Sequence, residues 1–348
     1  MVIKPHTQTP LHHPKDKAKS PAPWLSVIIT TYNGEKYLSH TLHSITIQKE
    51  KSIECIVIDD SSTDSTLSIL QDYKSLLPIT LVKVKKNGNW VTNTNYALSI
   101  ARGEYACLLH QDDIWLENRL KICKELTLEF PEIIFFIHPS YFIDTSGNNL
   151  GIWRCPLPAY PNVVKPEIMT EKLLIQNFIS IPAPIFKREF ALKAGGLDKN
   201  LWYTADWDFW LKISSYGNIL YYPEPLACFR VHPDSQTVKR SSYIEDFQDQ
   251  LTQVMTRHWS QWNAPETIKK RIYKTASFSI EVNTFLAGVV HKKKMKGMRL
   301  LISLILLGPN EIFRFFQDSR IWERVVARLK ANLLAHDSRK PIPNGNSK

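Results

Sequence analysis

Asp112 and Asp113 are adjacent carboxylates that follow an apolar run, Tyr105 to Leu109. A buried strand there delivers both acids to its C-terminal end, the edge at which open α/β sheets bind ligands. Neighbouring carboxylates repel each other unless a cation or a proton intervenes. A hard divalent ion meets that need, and Mg²⁺ typically takes one or two carboxylates together with substrate phosphates. A solvated turn or a helix cap is the competing reading of the same pair.

The elements that must hold these acids are legible from residue type. Ser26 to Thr31 (SVIITT) and Ile53 to Ile58 (IECIVI) are β-branched runs of the kind buried on both sheet faces. The second run ends at Asp59-Asp60, before a turn rich in capping residues, Ser61 to Asp64. Ile79 to Val84 is a third strand and Tyr105 to Leu109 a fourth. Helices are predicted over Lys36 to Gln48, Ser65 to Lys74 and Asn93 to Ala101. Strand and helix in alternation imply a parallel sheet with right-handed crossovers. Further strands are expected at Ile133 to Ile137, Ile219 to Tyr222 and Leu226 to Val231, and an irregular one at Ile179 to Phe186, which holds two prolines. Short helices are expected at Glu189 to Ala194 and from Asp206 to Ser214. Residues 147–168, with four prolines, read as loop, and the pattern from Ser241 to about Leu334 is helical. No glycine-rich dinucleotide fingerprint or P-loop occurs.

The 348 residues are 43% hydrophobic, enough for a sizeable core. The net charge of +11 is carried by residues 263–348, with 17 Lys+Arg against 6 Asp+Glu; the first 262 residues hold 27 of each. Five scattered cysteines without a Cys-x-x-Cys fit a reducing cytoplasm better than a disulfide framework. Residues 1–23, with five prolines and no apolar h-region, read as a disordered leader rather than a signal peptide. The expected organisation is a leader (1–23), a catalytic unit (24–240, divided into a nucleotide-binding half 24–130 and an acceptor half 131–240), a helical region (241–335) and a disordered tail (336–348).

Six segments in order, TTYNGEKYLSHTLHSI, CIVIDDSSTDST, ARGEYACLLHQDDIW, APIFKREFALKAGGLD, TADWDFWLKI and FRVH, resemble the family 2 glycosyltransferases over about Pro23 to Val238. The resemblance implies the A-type, nucleotide-diphospho-sugar transferase fold, a mainly parallel central sheet flanked by helices, with a helical C-terminal appendage. It also implies an inverting, hexosyltransferase-type enzyme of polysaccharide biosynthesis. By the same resemblance Thr30, Tyr32 and Asp60 hold the base and ribose of a nucleotide-sugar, and Asn95 contributes to the donor site. Asp112 serves ribose and metal, Asp113 the metal, and His232 completes the metal site; Arg230 is a further phosphate contact. The implied cofactor is Mg²⁺ or Mn²⁺, which offsets charge on the leaving diphosphate. Asp206 is the implied general base, and its alternative is the N-cap of the following helix. The alternative for Asp60 is likewise a helix cap, and for His232 a surface histidine beside Pro233. A carboxylate at Asp60 can accept the N–H of uracil, thymine or guanine, so the implied donor is a UDP-, dTDP- or GDP-sugar. The chain departs from the family at His110, where relatives often carry Asp, and at Asn89 and Thr94, where they often carry Gly and Arg.

The implied acceptor is a glycan or a lipid-linked glycan. Lys292, Lys293, Lys294 and Lys296 precede the apolar run Leu300 to Leu307, and Arg320, Arg324 and Arg328 recur at every fourth residue beside Ile321, Val325 and Leu329. This reads as a basic stripe for an anionic membrane surface, giving a peripheral protein on the cytoplasmic face, or as a helix packed on the enzyme with a solvated charged face. Nucleic acid is not an expected partner, because no recognition motif accompanies the charge. Two other functions compete. A catalytically inactive nucleotide-sugar-binding protein would not need Asp112, Asp113 and Asp206 together. A nucleotidyltransferase would need a phosphate-cradling loop after the first strand, where Tyr32-Asn33-Gly34-Glu35 stands instead.

Overall fold

The β-branched runs form the strands that carry the site. In the computed structural model, which describes residues 22–295 and 297–337, β1 (Leu25–Thr31), β2 (Ile53–Asp59), β3 (Ile79–Lys83) and β4 (Tyr105–Leu108) lie parallel in the order β3-β2-β1-β4. Helices α1 (Leu38–Thr46), α2 (Thr66–Tyr73) and α3 (Trp90–Ile100) connect them. Alternate residues of these strands serve two cores. Ile28, Ile56 and Leu108 pack with Val91, Ala97 and Leu98 of α3. Val27, Ile29 and Val57 pack with Leu38 and Leu42 of α1 and Leu70 of α2.

The chain then runs through β5 (Ile114–Trp115), α4 (Arg119–Glu129), β6 (Phe135–Ile137), β7 (Ser140–Ile143), β8 (Asn149–Trp153), β9 (Asn162–Val164), α5 (Pro166–Ile175), β10 (Ile185–Lys187), α6 (Arg188–Lys193), α7 (Ala205–Ser214), β11 (Ile219–Tyr221) and β12 (Ala227–Arg230). The main sheet continues β4-β10-β6-β11-β9, with β10 antiparallel to both its neighbours and β9 antiparallel to β11. A second sheet, β5-β12-β7-β8, stands beside it. It pairs β5, just after Asp113, with β12, just before His232. The appendage is helical: α8 (Gln236–Arg240), α9 (Ile244–Gln261), α10 (Glu266–Val290), α11 (Gly297–Leu307), α12 (Pro309–Ser319) and α13 (Ile321–Asp337).

The architecture is the expected α/β sheet with a helical C-terminal region, and three local expectations change. The segment read as loop, 147–168, contains β8 and β9, whose partners β7 and β11 satisfy the strands despite the prolines around them. Of the extended segment 179–186, only Ile185 onward enters the sheet. The carbonyls of Pro182 and Ala183 instead accept from Arg119 Nη2 at 3.2 and 3.0 Å. The arginine stripe of α13 does not face outward as a whole. Ala327 packs with Phe142 and Leu150 against the small sheet, and Glu323 accepts from the backbone and guanidinium of Arg154 at 2.7 and 3.1 Å. This turns Arg324 and Arg328 toward the enzyme. The leader and tail fall almost wholly outside the described residues, as does Lys296.

Candidate active site

The C-terminal ends of β1, β2 and β4 open into a cleft of about 730 Å³. Its lining includes Thr30 near the end of β1 and Tyr32 just after it, Asp60 after β2, and His110 and Asp112 after β4. Local chemistry shapes each turn. Asn33 takes a left-handed φ of 47°. The Gln111 side chain accepts from Tyr32 N at 2.9 Å and donates to Tyr32 O at 3.2 Å, binding the first turn to the acidic one. Gly34 lies close beneath it, and a Cβ there, 2.5 Å from Gln111 Oε1, would push the Gln111 amide out of this arrangement. Asp59 accepts from Thr31 Oγ1 and Ser62 N at 3.1 and 3.0 Å and holds the second turn. Asp60 uses one oxygen for Asn87 N and the other for Gly88 N, both at 2.8 Å. Each oxygen keeps a second lone pair. Tyr32 Oη accepts from Lys86 Nζ at 2.6 Å.

His110, Asp112 and Asp113 bring one ligand atom each to within 4.8 Å of one another. Asp113 is 1% exposed; one oxygen accepts from Arg230 N at 3.0 Å and the other is buried without a partner. Burial and then the Asp112 carboxylate push Asp113 well above the usual carboxylate range. Burial opposes ionisation of Asp112 too, but its hydrogen bond to His232 and the charges of His110 and His232 leave it below its ordinary value. His232 Nε2 lies 2.9 Å from Asp112 Oδ2, so His232 reaches the acids through Asp112. Burial lowers the pKa of His110 and so disfavours its charged form, and its Nε2 has no partner. A partnerless imidazole nitrogen and a partnerless buried carboxylate oxygen fit a divalent ion. Arg230 clamps the turn rather than reaching into the cleft by Nε or Nη1, which donate to Asp112 O at 2.8 Å and Asp144 O at 2.7 Å.

Asp206 faces the same cleft from the first turn of α7. It accepts from Asn177 Nδ2 at 3.0 Å and from Trp207 N at 2.8 Å. Burial raises its pKa to about 6, against the lowering effect of those bonds and of Arg324. Asp208, two residues on, is fully buried and does different work. It pairs with Arg257 at 2.9 Å and His258 at 2.8 Å, docking α9 on α7. Asn95 is not among the cleft residues. Its amide donates to Leu197 O at 2.8 Å and accepts from Leu197 N at 2.9 Å, tying α3 to the segment before α7. Asn93 lines the cleft in its place, and Asn89 caps α3 by accepting from Val91 N and Thr92 N at 3.0 and 3.2 Å. The far end of the cleft is lined by Asn177, Asn283, Arg324 and Arg328, none of which stood out in the sequence as site residues.

A nucleotide-binding α/β sheet with an acidic turn at its carboxyl edge and a second acid across the cleft defines an A-type sugar-transferring enzyme. The profile of Glycosyl transferase family 2 matches residues 26–190. An Escherichia coli protein, UDP-Glc:alpha-D-GlcNAc-diphosphoundecaprenol beta-1,3-glucosyltransferase WfaP, is 30% identical over 186 residues, 51% of this chain and 71% of its own. An uncharacterized glycosyltransferase of Haemophilus influenzae is 28% identical over 225 residues, 64% of this chain and 71% of its own. The chain belongs to glycosyltransferase family 2 and is a glycosyltransferase. Solved structures agree in fold. S. aureus TarS 1–349 in complex with UDP-GlcNAc superposes with a TM-score of 0.60 at 17% identity, covering 90% of this chain and 91% of that one. The mannosyltransferase PcManGT of Pyrobaculum calidifontis, in complex with GDP-Man and Mn²⁺, gives 0.54 at 17% identity, with coverage of 90% and 91%.

Proposed function

We propose that this enzyme is an inverting, metal-assisted hexosyltransferase that moves a sugar from a UDP-, dTDP- or GDP-sugar to a glycan or lipid-linked glycan. The observation that carries the reading is the pairing, in one cleft, of the His110–Asp112–Asp113 cluster with Asp206, an acid whose pKa of about 6 suits a base near neutral pH. Asp206 takes the proton of the acceptor hydroxyl as that oxygen attacks the anomeric carbon. The bond from that carbon to the diphosphate oxygen breaks, and the configuration inverts. Asn177 orients the Asp206 carboxylate, and Trp207 N holds its second oxygen. Thr30, Tyr32 and Asp60 lie where the base and ribose bind. Asp112, Asp113 and His110 would hold the metal, and His232 would steady Asp112; a bound metal offsets charge on the leaving diphosphate. An imidazole among the ligands suits Mn²⁺ better than Mg²⁺, which prefers oxygen.

The relative from E. coli supports a lipid-linked acceptor, since it is named for transfer from UDP-glucose to a GlcNAc-diphosphoundecaprenol. A peripheral position on the cytoplasmic face of a membrane is part of the same proposal. It is supported by Met298, Leu301, Ile302, Ile305 and Leu306, exposed on α11 near Lys292, Lys293 and Lys294. No single described helix is long and apolar enough to cross a membrane. The donor assignment is tested by thermal unfolding with Mn²⁺ and a panel of nucleotide-sugars, since a bound ligand raises the melting temperature. One nucleotide class should stabilise the protein only with the metal, and proton NMR of the product should show inversion. Stabilisation by none of them, or a retained anomeric configuration, overturns the reading.

A further inference from the structure

Arg324 and Arg328 stand one helical turn apart on α13 and line the end of the cleft beyond Asp206. Among the described residues no carboxylate lies within ion-pair distance of either. Their neighbours are different: Arg154 holds Glu323, Lys172 holds Asp318, and Arg314 holds Glu171. The hydrogen bonds of Arg324 go to neutral oxygens, Asn177 O at 3.1 Å and Ser319 O at 3.4 Å. With the Gln176 amide turned so that its oxygen faces the guanidinium, that oxygen accepts at 2.9 and 3.0 Å. Arg324 Nε is buried with no partner at all, and the guanidinium lies 5.5 Å from the ring of Trp153. Burial and the charge of Arg328 lower the Arg324 pKa to about 10, so it remains a cation at neutral pH. Asp206 and Glu323 act on Arg324 only through space, and two adjacent half-buried cations with no carboxylate in direct contact favour an anion between them.

Asn177 fixes how this pair stands to the chemistry. Its side chain donates to Asp206 and its carbonyl accepts from Arg324. An anion on the arginines is therefore held beside the proposed base, at the end of the cleft away from His110 and Asp112. We infer that Arg324 and Arg328 form a binding site for a phosphate or diphosphate group of the acceptor, so that the acceptor is recognised by an anion next to the hydroxyl that is glycosylated. This rests on the proposed role of Asp206. A phosphate-type group is favoured over a single carboxylate because two planar guanidinium forks offer more donors than two oxygens accept.

The test uses the full chain, with a chelator present so that the acidic cluster holds no metal. Inorganic diphosphate and a short prenyl diphosphate are each titrated at millimolar concentration by calorimetry. The parent should bind both, and Arg324→Gln and Arg328→Gln should each weaken binding by about tenfold or more, as expected for losing a charge-assisted hydrogen bond. Equal affinity for the two probes identifies a phosphate carried on a glycan, and tighter binding of the prenyl compound a lipid-linked one. No binding by the parent, or unchanged affinity in both variants, overturns the site. Stabilisation by Mn²⁺ together with the nucleotide that the parent binds is read on the same preparations without chelator. Its persistence in the variants shows that they are folded, and the failure of every nucleotide in the panel to stabilise the parent counts against the donor reading alone.

Discussion

Asp206 and Asp208 sit two residues apart on one turn and depend on pH in opposite senses. The folded-state pKa of Asp206 is raised from 3.8 to about 6 by burial, so the native protein binds more protons than the unfolded chain between those values. Stability from this group therefore falls as pH rises through that window. Asp206→Asn should lower kcat by roughly 10²–10⁴ while raising the melting temperature at neutral pH. The gain should vanish near pH 4, and the parent's activity should show an acid limb near pH 6. Melts and rate profiles across pH check both. Despite the burial that opposes its charge, Asp208 is held at about 2 by His258 and Lys212. Its contribution is complete above the unfolded value and is lost as pH falls through the folded one. Asp208→Asn should destabilise by roughly 3–5 kcal/mol, the usual effect of breaking a buried ion pair. A denaturant titration at neutral pH would show it. The doublet Asp112-Asp113 was legible in the sequence because adjacency and the preceding strand are both local. The inward turn of Arg324 was not, since arginines at every fourth residue look the same whichever side of a helix meets the protein.

At the scale of elements, the strands β1 to β4 could be read because burial on both faces writes an unbroken β-branched run. β8 and β9 could not, since their partners are distant in sequence and prolines flank them. Asn95 shows the same limit for a side chain. Its place in a motif suggested donor contact, whereas both halves of its amide are engaged by Leu197. Gly196 is close-packed there too, for a Cβ would collide with Asn95 Oδ1. Asn95→Ala leaves the N–H and C=O of Leu197 without partners and should cost about 1–3 kcal/mol. UDP affinity in the presence of Mn²⁺ should be unchanged. A weakened UDP affinity at full stability would return Asn95 to the donor site.

The whole molecule divides its C-terminal basic charge between two places. The basic excess near the C-terminus was legible in composition, but its division between an inner and an outer surface needed the packing of α13 on the small sheet. Arg324 and Arg328 line the cleft, while Lys292, Lys293 and Lys294 stand near the exposed apolar residues of α11. On anionic vesicles each basic residue near the surface contributes about 1 kcal/mol, screened by salt. The parent should float with such vesicles at low salt. Replacing the three lysines with Gln should leave it in the soluble fraction, with transfer to a short soluble acceptor retained. A parent that stays soluble at every salt concentration would rule out the lipid surface.

The closure of the cleft by α13 has a consequence in time. The residues at one end of the cleft, Thr30 to Asp112, leave the ribosome well before Arg324 and Arg328 at the other. At roughly 5–20 residues per second, tens of seconds separate the two. A nascent chain can build its acidic turn while the opposite wall is still unmade, so on the proposed reading the donor side of the cleft takes shape before the acceptor side.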